Sequence, residues 1–277
     1  MPELPEVETT IRDIRKKIIN RKISFVWSDI PQKTAVFSKD GSKALNFQLL
    51  KKTIEGERIE AVQRRGKNIL ILLSGNLVLL IHQKISGHLL FGEWKLENRR
   101  WISSQKNMIE RVNSYIHFLI KLDNGGMVAL SDPRKFAKIE LHQSKESLFF
   151  KLEEELGPEP LSKNFNFSKF EKAINGSRMA IKKILMDQRR IVGIGNIYAD
   201  EILWDAKINP FKEARSLTKK NLSDIFKSIG KILNKAIKLK GDSFSDYRLI
   251  SGEKGGYQKE QKVYQREYGI GYGWRLL

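Results

Sequence analysis

The first residues of the chain carry the groups best suited to chemistry. The sequence opens MPELPEVETT, so removal of Met1 leaves Pro2 with a free secondary amine, followed directly by Glu3 and closely by Glu6. A secondary amine condenses with an aldehyde-like sugar carbon to give an iminium ion, which accepts electrons during elimination. Glu3 is then placed to act as a general acid towards a departing oxygen. The alternative interpretation is a frayed acidic terminus without a role.

Basic and aromatic side chains next to two further turns favour contact with a polyanion. In RRGKNILILL, Lys67 can project into a cleft and meet a phosphate or a developing oxyanion, although a solvated basic turn is the alternative. In SDPRKFAK, Arg134 can enter a base stack while Phe136 wedges the neighbouring step, if the segment lies at a DNA groove. An ordinary turn with Phe136 in the core fits the local sequence equally well.

The segment VGIGNIYADE has the character of a glycine-rich phosphate loop. Glycines before a helix expose backbone N–H groups at the positive end of the helix dipole. The segment lacks the lysine and the spacing of a nucleotide-triphosphate loop, so a DNA phosphate, also held by Asn196, is the expected ligand. Tight helix packing is the alternative explanation for the glycines.

The composition narrows the classes of partner and of site. Lysine and arginine total 51 against 32 aspartate and glutamate residues, a formal net charge of +19, which favours nucleic acid as the partner over a merely basic surface. The chain has no cysteine, which excludes disulfides, thiol nucleophiles and cysteine-bound zinc, and its four scattered histidines predict no metal site.

The first residues and the apolar runs also indicate where the protein acts. The acidic start is unlike a signal peptide, and no apolar run is long enough to cross a bilayer. We expect a cytoplasmic protein with no membrane partner.

Periodicity predicts an α+β fold with two domains. Apolar residues at spacings of three and four predict a helix over 3–18, and alternating segments with the turns SGN and DNGG then predict a mostly antiparallel two-layer sandwich. The pattern breaks around LGPEPLSKNFN, where we place a linker over 146–165 between a domain at 1–145 and a second at 166–277.

The second domain is predicted to be helical. Segments FSKFEKAINGSRMAIKKILMDQRR and LTKKNLSDIFKSIGKILNKAIKLK have helical periodicity, with Thr218 or Ser216 as the N-cap of the second. The last stretch, from 241 onwards, is rich in glycine, tyrosine and charge, which predicts loops and a short hairpin.

Six motifs together resemble the formamidopyrimidine-DNA glycosylases in order and spacing: PELPEVET, RRGK, HQKISG, SDPRKF, LGPEPL and GIGNIYADE. The resemblance implies an N-terminal β-sandwich with a flanking helix and a helical domain containing a helix-two-turn-helix, with DNA in the cleft between them. It also implies a bifunctional glycosylase and abasic-site lyase that removes oxidised purines from duplex DNA in base excision repair, by β- and δ-elimination and without a cofactor.

The resemblance also implies roles for individual residues. Pro2 is the expected nucleophile at C1′ of a flipped nucleotide, Glu3 the proton donor to the ring oxygen, Glu6 a support of that pocket, and Lys67 a contact to the lesion strand. The residues expected to bind DNA by this resemblance are His82, Ile85, Arg134, Phe136 and Asn196. Arg134 and Phe136 would fill the space left by the extruded base.

Two departures from the family pattern leave alternatives open. Ile85 stands where methionine is usual, which keeps an apolar wedge but makes it stiffer. The family usually ends in a four-cysteine zinc finger that inserts an arginine into DNA; here Arg275 is the only candidate substitute. The alternatives are an endonuclease VIII-like enzyme for oxidised pyrimidines and a lesion-binding protein without catalysis. A basic RNA-binding protein fits less well.

We expect the protein to be a monomer and, like the bacterial members of the family that it resembles, to be associated with the nucleoid.

Overall fold

The computed structural model describes residues 1–174 and 176–264, and the chain begins with a helix at the junction of its two cores. Helix α1 (Leu4–Ile18) confirms the helix predicted at the start of the chain. Its apolar stripe from Val7 to Ile18 is buried in the core of the sandwich, whereas Leu4 belongs to the core of the helical half. The terminus is thereby placed where the two halves meet.

Two sheets form the predicted sandwich. In chain order, their strands are β1 (Ile23–Ser28), β2 (Thr34–Phe37), β3 (Lys43–Ala44), β4 (Ile59–Arg65), β5 (Asn68–Leu73), β6 (Leu77–His82), β7 (His88–Gly92), β10 (Ile116–Leu122), β11 (Met127–Ser131) and β12 (Lys138–His142). The four-stranded sheet has the order β1-β10-β11-β7 and the six-stranded sheet has the order β3-β2-β12-β6-β5-β4. A separate hairpin contains β8 (Lys95–Glu97) and β9 (Arg100–Ile102). Within the two sheets every pairing is antiparallel except that of β12 with β2, which is parallel.

The predicted hairpin turns lie where the sequence places them. Ser74-Gly75-Asn76 joins β5 to β6, with Gly75 and Asn76 at φ 70° and 64°, and Gly125 at φ 86° closes the turn between β10 and β11. These left-handed conformations explain the glycine and asparagine at the turns. The continuous apolar run of β6 reflects burial on both faces, because Leu79 faces the sandwich core and Leu80 faces a covering helix.

That covering helix is α3 (Lys145–Glu155), which lies in the range predicted as a linker. Ser144 caps it by accepting the N–H of Ser147, and Leu148 and Leu152 pack on the outer face of the six-stranded sheet. A second short helix, α2 (Phe47–Ile54), begins at the N-cap Asn46. The division into 1–145, 146–165 and 166–277 stays a prediction.

The helical half contains α4 (Phe167–Ile174), α5 (Ile181–Met186), α6 (Asn196–Asp205) and α7 (Lys219–Lys238). The stretch from Phe167 onwards, predicted to be helical, forms two helices, α4 and α5, which are separated near Gly176, whose φ is 72°. Thr218 is the N-cap of α7 and accepts the N–H of Asn221, whereas Ser216 ends a short 3-10 turn.

Residues 239–264 are mostly loops with one 3-10 turn, Tyr257–Lys259. Up to residue 264 this stretch contains no strand, so the predicted hairpin is not found there. Arg275 lies outside the described residues. Across the described ranges, none of the helices is both long and apolar enough to span a membrane.

Candidate active site

The glutamate after Pro2 is fixed by backbone groups from the other half of the chain. Glu3 is 1% exposed, and its carboxylate accepts the N–H groups of Gly195 and Ile197 at 2.6 and 2.9 Å, with a longer contact of 3.4 Å from Tyr198. The N–H of Leu4 donates to the carbonyl oxygen of Gly193 at 3.0 Å. A carboxylate therefore occupies the positive end of α6.

The glycines of GIGN make this approach possible. A Cβ at Gly195 would lie 2.5 Å from Oε1 of Glu3 and 2.8 Å from Nζ of Lys67. Gly193 has φ 95°, and a Cβ there would lie 2.8 Å from Leu4. The expectation that this glycine-rich turn holds a DNA phosphate with its N–H groups is wrong for these groups, because the carboxylate of Glu3 occupies them. The side chain of Asn196 is exposed.

Glu6 connects three parts of the chain at the same site. Its carboxylate accepts the N–H of Glu3 at 2.8 Å, the hydroxyl of Tyr198 at 2.5 Å and the N–H of Asp242 at 2.7 Å. Its own carbonyl oxygen accepts the hydroxyl of Tyr247 at 3.1 Å. Glu6 is thus a buried support for the terminus and for the segment after α7.

Burial controls the protonation of these groups. It raises the pKa of Glu3 and of Glu6, an effect that Lys67 opposes at Glu3 and the Tyr198 hydroxyl opposes at Glu6. Burial also lowers the pKa of Lys67, although the two glutamates partly compensate. A carboxyl with a raised pKa holds a proton at higher pH than usual, which suits Glu3 to proton donation.

Asp242 brings a third carboxyl to the site. It is 5% exposed, and burial raises its pKa to about 6, while the positive charge at the chain terminus acts in the opposite direction. Sequence reasoning missed Asp242, Tyr247 and Tyr198. Only Tyr198 had a signal, because it lies inside the motif GIGNIYADE.

Two loops present the predicted wedge residues together. Ile85 is 38% exposed and Phe136 is 43% exposed, so the alternative that buried Phe136 in the core is wrong. The guanidinium of Arg134 lies 4.8 Å from the centre of the Phe136 ring. The hydroxyl of Ser86 donates to Asp132, whose carboxylate also accepts the N–H of Ala137 at 2.8 Å. These bonds tie the Ile85 loop to the Arg134 loop.

His82 ends β6 beside these loops and is a neutral hydrogen-bond donor. Its Nδ1 accepts the N–H of Lys84 at 3.0 Å, which leaves the proton on Nε2. Burial, together with the charges of Lys84, Lys67 and Lys138, lowers the pKa of His82 to about 3. The ring lines a cavity with Lys84 and Lys138, where Nε2–H can donate to an anion.

The carboxylate of Glu159, in the motif LGPEPL, accepts hydrogen bonds from the motif RRGK. Glu159 accepts hydrogen bonds from Nη1 of Arg64 at 2.7 Å and from the N–H of Gly66 at 2.5 Å. Glu8 accepts a hydrogen bond from Nε of Arg64 at 2.9 Å. The turn that carries Lys67 is therefore clamped to α1 and to the segment after α3. Among the residues that the structure describes, no cluster of three histidine, aspartate or glutamate side chains could hold a metal ion.

Comparison with known proteins identifies the family to which this chain is similar. Residues 1–139 match the formamidopyrimidine-DNA glycosylase N-terminal domain and residues 156–248 match the formamidopyrimidine-DNA glycosylase H2TH domain. The formamidopyrimidine-DNA glycosylase of Streptococcus agalactiae is 33% identical over 264 residues, which cover 95% of this chain and 88% of the relative. That of Chloroflexus aurantiacus is 35% identical over 266 residues, covering 96% and 87%.

Solved structures agree with this assignment and with the α+β fold. The complex between the Lactococcus lactis Fpg and an abasic site containing DNA has a TM-score of 0.79 at 32% identity, covering 95% of this chain and 88% of that one. MutM in complex with carbocyclic 8-oxo-G containing DNA has a TM-score of 0.78 at 33% identity, with the same coverage. The chain therefore belongs to the formamidopyrimidine-DNA glycosylase family.

Proposed function

We propose that this protein is a bifunctional DNA glycosylase and abasic-site lyase that removes oxidised purines from duplex DNA in bacterial base excision repair. The observation that carries the proposal is the terminus itself, where Pro2 is followed by the buried carboxylates of Glu3 and Glu6 and where Lys67 lies beside Glu3. The relatives that bind abasic-site and 8-oxo-G DNA support the class of substrate. We also propose that it acts as a monomer in the cytoplasm.

The first chemical step exchanges the base for the amine of Pro2. The nitrogen lone pair forms a bond to C1′ while the bond from C1′ to the base breaks, and the departing base takes the amine proton. Glu3 then gives its proton to the ring oxygen, the bond from C1′ to that oxygen breaks, and an iminium ion forms between Pro2 and C1′. The raised pKa of Glu3 supports this assignment.

The iminium ion is an electron sink for strand cleavage. Loss of a proton from C2′ expels the 3′ phosphate in β-elimination, and a second elimination expels the 5′ phosphate. Lys67 lies beside Glu3, where its charge can stabilise the backbone of the lesion strand. The chemistry uses only groups of the chain and of the DNA.

Access to C1′ requires the damaged nucleotide to leave the stack. Extrusion costs a few kcal/mol, and inserted side chains offset part of this loss. We assign insertion to Arg134, Phe136 and Ile85, whose loops are bonded to each other and expose these side chains. His82 and Asn196 are assigned to backbone phosphates.

Borohydride trapping tests the proposal directly. The mature chain, starting at Pro2, is incubated with duplexes containing 8-oxoguanine, thymine glycol or an abasic site, reduced, and digested for mass spectrometry. We expect an adduct on the peptide that begins at Pro2 with the 8-oxoguanine and abasic duplexes, and much slower adduct formation after Pro2→Gly, which keeps a primary amine at the terminus.

Other outcomes would contradict specific parts of the proposal. Trapping with thymine glycol and the abasic duplex alone would favour an enzyme for oxidised pyrimidines. Binding without any adduct would favour a lesion-binding protein, and undiminished trapping by Pro2→Gly would refute Pro2 as the nucleophile.

A further inference from the structure

The segment after α7 is attached to the active-site residue Glu6 at two points. The N–H of Asp242 donates to the carboxylate of Glu6, and the hydroxyl of Tyr247 donates to the carbonyl oxygen of Glu6. Between these points Phe244 is 60% exposed. The same Glu6 carboxylate accepts the N–H of Glu3, so the start of this segment lies close to Pro2. A base still attached to a C1′ at the Pro2 nitrogen can therefore meet residues 243–246.

A second loop, residues 103–114, forms side-chain hydrogen bonds with this segment. Arg248 is 5% exposed, and its Nε and Nη2 donate to the two carboxylate oxygens of Glu110 at 2.8 and 2.5 Å. Its Nη1 donates to the carbonyl oxygens of Ser245 and Tyr247, both at 2.7 Å. A paired guanidinium and carboxylate fix orientation as well as distance. Glu110 thus sets the position of Arg248, and Arg248 sets the backbone of 245–247.

The same loop holds the segment at a further point. Asn113 is fully buried, and its amide nitrogen donates to the carbonyl oxygens of Gly252 and Asn107 at 3.1 and 2.8 Å. A Cβ at Gly252, where φ is 83°, would lie 2.4 Å from the Asn107 oxygen. Loop 103–114 is therefore a built support for residues 241–257.

We propose that Glu110 and Arg248 are positioning residues that hold residues 243–246 as a preformed wall for the extruded base. The inference rests on the proposed function, because it concerns the base that the glycosylase step removes. An abasic site has no base for this wall to contact. The pair therefore affects base excision and leaves cleavage of a preformed abasic site unchanged.

The experiment compares these two reactions in single turnover. Glu110→Ala removes both acceptors of Arg248, and Glu110→Gln keeps one carbonyl acceptor. The control is Glu60→Ala, because Glu60 is 46% exposed, similar to 42% for Glu110, and pairs with Lys145 on another element at 2.7 Å. Each variant is tested on an 8-oxoguanine duplex and on an abasic duplex.

We expect Glu110→Ala to slow base excision about tenfold while abasic-site cleavage stays within about twofold, since small displacements at a site have large effects on rate. Glu110→Gln should restore part of the excision rate, and Glu60→Ala should change neither reaction. Hydrogen exchange of the amides of 243–247 should be faster in Glu110→Ala than in the control.

Equal losses in both reactions, or an unchanged ratio of the two rates, would overturn the inference. Unchanged hydrogen exchange at 243–247 in Glu110→Ala would overturn it as well. Failure of the proposed function is distinguishable, because the unsubstituted protein would then leave the 8-oxoguanine duplex uncleaved, whether or not it cleaves the abasic duplex.

Discussion

The two buried glutamates at the terminus have different surroundings and therefore different capacities. Glu3 accepts its hydrogen bonds from the backbone of the α6 N-terminus and lies near Lys67. Glu6 accepts a tyrosine hydroxyl and two backbone N–H groups from three separate parts of the chain. The first arrangement suits proton transfer, whereas the second suits support.

Replacing Glu6 by glutamine tests this support. An amide has one acceptor oxygen and adds an NH₂ group, so at least one buried donor loses its partner. We expect Glu6→Gln to lower the free energy of unfolding by about 1–3 kcal/mol, measured by urea denaturation. Glu60→Gln, at an exposed ion pair, should change it by less than about 0.5 kcal/mol. Equal stability of the two variants would contradict the support role.

Asp242 gives the stability a pH dependence. Because its folded-state pKa of about 6 lies above the ordinary 3.8, its contribution to stability is fully present below pH 3.8 and is lost as the pH rises through about 6. Asp242→Asn removes this loss. We expect the variant to gain up to about 3 kcal/mol over the unsubstituted protein at pH 8 and almost nothing at pH 4. A gain that grows on acidification would contradict the assignment.

The N-terminus of helix α6 requires glycine at position 195 because Glu3 and Lys67 lie too close for a side chain, and not because the backbone there must be flexible. A Cβ at Gly195 would displace Glu3 and Lys67. We expect Gly195→Ala to slow adduct formation about 100-fold in the trapping assay. Gly230→Ala is the matched control, because a Cβ there meets nothing within 4 Å. Inside α7 it should stabilise the protein by about 0.5–1 kcal/mol without affecting the rate.

The Arg134 loop offers a test that separates a wedge from a core residue. Phe136 is 43% exposed, whereas Phe170 is fully buried. We expect Phe136→Ala to change the free energy of unfolding by less than about 0.5 kcal/mol and to weaken binding to lesion-containing duplex. Phe170→Ala should cost about 3–5 kcal/mol in stability. A large stability loss in Phe136→Ala would contradict the surface role.

At the scale of the whole molecule, positive charge continues from the active site along the sandwich. Lys67, His82, Lys84 and Lys138 lie near enough for the lysines to lower the pKa of His82. Since that pKa is about 3, His82 stays neutral between pH 5 and 8, and the lysines supply the charge for phosphate contact.

The salt dependence of DNA binding tests this path. Lys138→Ala should reduce the slope of log affinity against log salt by about 1, as expected when one phosphate contact is lost. Lys52→Ala, on the exposed side of α2, removes the same charge elsewhere and should leave the slope unchanged. Anisotropy titrations over a salt series measure both. Identical salt slopes for Lys138→Ala and Lys52→Ala would show that the DNA does not contact Lys138.

Local features of the sequence were sufficient for those elements that local physics controls. The stripe of α1 and the turns at Gly75 and Gly125 depend on residues within a few positions of each other. The cap of α7 was narrowed to Thr218 or Ser216, and the structure shows Thr218. The break between α4 and α5 was missed, because helical periodicity continues across a glycine whose positive φ is only visible in the structure. The six motifs identified the family through residue identity and order, without requiring any contact to be known.

The assembly of the site depends on contacts between distant parts of the chain. Glu3 and Gly195 are 192 residues apart, Glu6 and Asp242 are 236 apart, and Glu110 and Arg248 are 138 apart. No periodicity or spacing encodes such pairs, because they form only when distant segments of the chain pack together. The amino-acid sequence is sufficient to show which chemical groups the protein has and which helices and strands carry them. Packing decided that the α6 N-terminus binds Glu3 rather than a phosphate, since burial makes an unpaired carboxylate costly and places those N–H groups within its reach.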